Sequence, residues 1–82
     1  DSTVLHAARF SYAGALADTR RYEEALAVAR QVDPAKLAAS SSDASGHGKL
    51  AELRGQILLG LGLEAEGQAE LERAGQLLAE SS

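Results

Sequence analysis

Gly55 and Gly67 lie twelve residues apart on either side of Gly62, within the stretch Gly55 to Ala74, GQILLGLGLEAEGQAELERA. Small residues at two such points let paired helices approach closely, Leu58 and Leu71 supply bulk, and Gly62 stands where the chain must reverse. An earlier segment has the same layout. Moved forward by 42 residues, Ala13 falls on Gly55, Leu16 on Leu58, Ala25 on Gly67, Ala29 on Leu71 and Val32 on Ala74. Small matches small and apolar matches apolar, the pattern of a duplicated helix pair.

Such a layout must fold without much help. At 82 residues the chain is one small domain, able to bury only about 60% of its unfolded surface. It has no cysteine, so neither a disulfide nor a thiolate metal site can support the core. Phe10, Tyr12 and Tyr22 are its only aromatics, and alanine, leucine and glycine carry the interior, which favours helices over strands. The net charge of −4 offers no basic stripe for phosphates, so nucleic acid is not an expected partner. No apolar run approaches the ~18 residues of a membrane span. Beginning at Asp1 without a targeting pattern, the chain reads as a segment excised from a larger protein, with a cytoplasmic setting favoured.

Taken in order, Asp1-Ser2-Thr3 offers caps for a first helix to Asp18, with Val4, Leu5, Ala8, Tyr12 and Leu16 as its apolar face. After a reversal at Thr19 to Arg21, Tyr22, Ala25, Leu26, Ala29 and Val32 mark a second helix, with Glu23 and Glu24 at its positive end. These form a hairpin over 3–32. Asp33-Pro34 ends it and starts a short helix, Asp33 as cap and Pro34 as first residue. Ser40 to Gly48, SSSDASGHG, has linker composition, so 33–48 reads as short helix plus linker. A third helix begins at Lys49 and stops near Gly60 to Gly62. A fourth runs from Glu64 to Glu80 with Gly67, Leu71, Ala74 and Leu78 on its face and Glu66, Glu70 and Glu72 mainly outward, completing a hairpin over 49–80. Leu59 and Leu77 lie off the main stripes.

Chemistry is sparse. Gly46-His47-Gly48-Lys49 resembles the end of a phosphate loop, but Asp43 stands where the first glycine is needed and Leu50 where a Ser or Thr is. His6 and His47 lack companions at metal-ligand spacing, Ser40 to Ser42 lack a placed base, and the glutamates of the fourth helix read as a solvated face. No catalytic residue, metal or cofactor is expected.

The small-x-x-bulky and small-x-x-x-bulky elements, Gly55-x-x-Leu58 with Gly67-x-x-x-Leu71 and Ala13-x-x-Leu16 with Ala25-x-x-x-Ala29, resemble the tetratricopeptide repeat. Tyr22-Glu23-Glu24-Ala25-Leu26 looks like the usual opening of its second helix. Arg9, Ala51 and Arg54 depart from the family's large residues, and the 42-residue spacing exceeds its common period of about 34. The resemblance implies an all-α fold of two antiparallel hairpins stacked as a right-handed α-α superhelix; a four-helix bundle is the alternative. It further implies a scaffold for protein binding, with a groove lined by Phe10, Gly14, Ala17 and Asp18 from the first helix and Lys49, Glu52 and Gln56 from the third. The expected partner is a peptide or protein. The alternative is a self-association segment of a longer solenoid, in which Leu59, Leu63 and Leu77 are the apolar positions to be covered.

Overall fold

Helix-favouring residues fill every periodic segment, and five helices result among the described residues. The computed structural model describes residues 2–41 and 46–81. Its elements are α1 (Ser2–Asp18), α2 (Tyr22–Ala29), α3 (Pro34–Ser41), α4 (Gly46–Gly60) and α5 (Glu64–Ser81), with no strand among the described residues.

The two hairpin turns are built alike. Arg20 ends α1 at φ 65°, its N–H donating to Ala17 O at 3.0 Å while Arg21 N–H donates to Leu16 O at 2.8 Å. Gly62 ends α4 at φ 83°, its N–H donating to Leu59 O at 3.0 Å while Leu63 N–H donates to Leu58 O at 2.9 Å. Each bond has its counterpart 42 residues on, and both sets form the Schellman closure of a helix by a left-handed residue. The following helices also begin alike, Ala25 N–H donating to Arg21 O and Gly67 N–H to Leu63 O. The 42-residue correspondence therefore extends from side-chain size to the backbone geometry of the two turns.

Between the hairpins, α2 stops at Ala29, short of the expected Val32. Tighter i to i−3 bonds from Gln31 and Val32 complete the turn before Asp33-Pro34, where helical geometry is disfavoured. Asp33 then caps α3, its Oδ1 accepting from Ala35 N–H at 2.9 Å as the sequence predicts. His6 closes the corner. Its buried Nδ1 accepts from Asp33 N–H at 2.9 Å, placing the ring proton on Nε2 and tying α1 to the α2–α3 junction.

Helix α4 starts at Gly46, not at Lys49, so His47 and Gly48 belong to a helix rather than to a linker; Ser42 to Ser45 lie outside the described residues. Packing overrides linker composition here. A Cβ at Gly48 would stand 2.6 Å from Leu78 Cγ, so α5 can cover this turn only because the residue is glycine. One heptad on, a Cβ at Gly55 would come 2.7 Å from Leu71 Cγ and 3.0 Å from Gly67 O. The contact is reciprocal, since a Cβ at Gly67 would meet Leu59 Cγ at 2.8 Å and Gly55 O at 3.0 Å. Leu59 is thus a knob over Gly67 and half-buried, rather than a residue off the packing face. Leu77 is half-buried too.

A first core cluster joins Ala13 and Leu16 of α1, Ala25 and Ala29 of α2 and Leu53 and Ile57 of α4. A second joins Val32, Leu37 and Leu50, and Phe10 packs against both. The expected inward face of α1 is corrected by this arrangement. His6, Ala13 and Leu16 point inward, while Val4 is 65%, Leu5 47% and Tyr12 55% exposed.

The five helices form an open succession rather than a closed ring. Helix α4 packs on α2 and α3 and only slightly on α1, and α5 packs on α4 alone among the described elements. The Cα extents of 33 × 26 × 16 Å suit a slab two helices thick.

Candidate functional site

Among the described residues, a recess opens on each side of α4. The first lies where α1 and α4 run side by side with little direct contact, and Phe10, Lys49, Glu52, Leu53 and Gln56 line it over about 190 Å³. Four of the seven expected groove residues converge there: Phe10, Lys49, Glu52 and Gln56. Gly14, Ala17 and Asp18 do not join them. Ala17 packs against the first core cluster, Gly14 is half-buried, and Asp18 is exposed at the end of α1.

Phe10 is half-buried, packs against both clusters and lines the recess from the core side. Gln56 Nε2 donates to Glu52 Oε1 at 3.5 Å, a long bond between exposed groups one helical turn apart. An aromatic floor with a cation and a carboxylate at its rim is chemistry for holding an extended or helical peptide by one apolar side chain.

The second recess was not legible beforehand. It opens between α2 and α5 over α4, spans about 530 Å³, and is lined by Leu26, Arg30, Arg54, Leu58, Glu66, Ala69 and Glu70. Glu70, expected to face outward, has a side chain only 24% exposed, and its Oε1 reaches Arg73 at a loose 3.9 Å. Its Oε2 and Arg54 Nε are both buried without a hydrogen-bond partner. Buried polar atoms are paired in the great majority of native structures. One signal in the sequence pointed here: Glu70 sits three residues after Gly67 and four before Ala74, on the packing side of its helix.

His47 is exposed and His6 is held in the α1 corner, so the two histidines have separate structural fates. Among the described residues no group of three His, Cys, Asp or Glu is placed to hold a metal ion, and no helix is long and apolar enough to cross a membrane.

Compared with protein-family models, curated proteins and solved structures, the chain matches none.

Proposed function

We propose that this chain is a non-catalytic protein-interaction module of tetratricopeptide-like architecture, which binds a peptide or protein segment in the recess between α1 and α4. The observation that carries the reading is the convergence of Phe10, Lys49, Glu52 and Gln56 around one recess, on helices that belong to different hairpins. The equivalence of the two turns supports a repeat origin for the pair. Because rigid helices position the lining residues, a partner loses little to ordering them, and binding uses a pre-formed surface. In this reading Phe10 supplies the apolar contact, Lys49 meets a carboxylate and the Glu52–Gln56 pair fixes orientation by hydrogen bonds.

The test is selection from a random-peptide display library against the whole chain, followed by affinity measurement on exposed rim variants. Lys49→Glu is expected to weaken the selected peptides about tenfold, as loss of a charge pair with partial desolvation does. Peptides that bind equally well to Lys49→Glu and Gln56→Lys would overturn the assignment of this face, and a library that returns no binder would overturn the function.

A further inference from the structure

We infer that the recess between α2 and α5 binds a small zwitterion: an apolar body carrying one carboxylate and one ammonium group, as in a free apolar amino acid or a short apolar peptide. The site lies across α4 from the recess proposed above for a peptide and shares no lining residue with it.

Its charges are sorted by wall. Arg54 comes from α4 and Arg30 from the residue that follows α2, whereas Glu66 and Glu70 both come from α5. The two glutamates are one helical turn apart and share a face. Helices α2 and α5 do not pack on each other, and no arginine is paired with a glutamate across the gap. Among the described residues, the one ion pair made by any of the four is that of Glu70 with the exposed Arg73, at 3.9 Å. Each helix also contributes apolar surface: Leu26 from α2, Leu58 from α4 and Ala69 from α5.

Burial gives these charges their weight. Arg54 Nε and Glu70 Oε2 are sealed from solvent without a hydrogen-bond partner, and the Glu70 side chain is 24% exposed. A partly desolvated charge without a partner is costly, and a counter-charge brought to it gains more than one at an open surface. With Nε sealed, the terminal nitrogens of Arg54 are what a ligand meets, in the fork geometry that suits a carboxylate. Glu66 and Glu70 offer acceptors to an ammonium, which has three donors to distribute.

The balance of charge decides the ligand class. A simple anion held by the arginines would face two carboxylates, and a simple cation would face two guanidinium groups. An uncharged apolar ligand would desolvate Arg54 and Glu70 further without pairing either. A ligand with both charges satisfies both walls, and the mismatched wall rejects the others. At about 530 Å³ the recess falls within the ~300–1,000 Å³ of small-molecule sites.

The experiment titrates the 82-residue chain with L-leucine and follows its amide resonances by NMR. Three further probes are run alongside: N-acetyl-L-leucine, which lacks the ammonium, L-leucinamide, which lacks the carboxylate, and L-leucyl-L-leucine. Leucine or the dipeptide is expected to shift Arg54, Leu58 and Ala69, and each single-charge analogue to bind at least about tenfold more weakly. Variants then identify the partner of each charge. Arg54→Gln should remove the advantage of leucine over leucinamide, and Glu70→Gln its advantage over N-acetylleucine, with circular dichroism checking that both variants fold. Should either fail to fold, the analogue series on the unaltered chain still decides. Tighter binding of the dipeptide assigns the site to peptides and tighter binding of leucine to free amino acids; both support the inference. An analogue that binds as tightly as leucine overturns it. So does the absence of any shift at about 10 mM leucine and dipeptide, enough to reveal a millimolar Kd. None of these outcomes bears on peptide binding read through Lys49, so failure here and failure of the other recess are separable.

Discussion

Glycine has three distinct fates in this molecule, and each is set by what surrounds its missing Cβ. At Gly62 the left-handed φ of 83° is the reason, and Arg20 takes up the equivalent position at φ 65° with a strain of about 1 kcal/mol that glycine avoids. At Gly55 and Gly67 the reason is contact, with a leucine and a facing backbone carbonyl both inside the space a methyl needs. At Gly14 nothing lies within 4 Å, so helix propensity alone decides. Opposite signs follow. Gly55→Ala is expected to destabilise by about 1–3 kcal/mol, because overpacking against a carbonyl outweighs the helix-propensity gain. Gly14→Ala is expected to stabilise by about 0.5–1 kcal/mol. Urea unfolding of both variants checks the contrast; a stabilised Gly55→Ala would mean the helices can part without loss.

At the scale of elements, the α4–α5 pairing is the most extensive in the molecule, yet α5 has no other support among the described helices. Its hold is the interlock of Leu71 and Leu78 over Gly55 and Gly48, with Leu59 returned over Gly67. A helix held by one neighbour opens before a helix held by four. Native-state hydrogen exchange should therefore show α5 amides exchanging through a sub-global opening of lower free energy than that of α4. Equal free energies for the two helices would show that the hairpin opens only as a unit.

At the scale of the whole molecule, the two hairpins are coupled through α4, and Leu50 sits at the join. It is 1% exposed and completes the second cluster with Val32 and Leu37, which are contributed by the α2–α3 corner. Leu50→Ala should cost about 2–5 kcal/mol, through lost transfer energy and a residual cavity. A small domain has little stability to spare, so much of the coupling between hairpins should go with it. Thermal unfolding followed by circular dichroism at 222 nm, with fluorescence of Tyr12 and Tyr22 in the first hairpin in parallel, would show this as a broadened transition in which the two probes separate. Coincident, equally sharp transitions would place the coupling elsewhere.

Helix formation, the two reversals and the close-approach glycines were legible in the chain itself. They depend on local quantities: alanine and leucine propensity, the left-handed tolerance of Gly62, the cap at Asp33 and a size pattern repeated after 42 residues. The resemblance implied seven groove residues, of which Phe10, Lys49, Glu52 and Gln56 line one recess. What the sequence could not decide was which of two apolar faces a helix turns inward. On α1, Val4, Leu5 and Tyr12 are exposed although apolar, and only the placement of α2 and α4 against Ala13 and Leu16, with the cluster containing Leu37 of α3 against Ala7 and Phe10, selects the buried face. The helical start at Gly46 and the half-burial of Glu70 were hidden likewise. Each rests on the distance between α4 and facing residues far along the chain, and burial is a property of neighbours in space that no local pattern specifies.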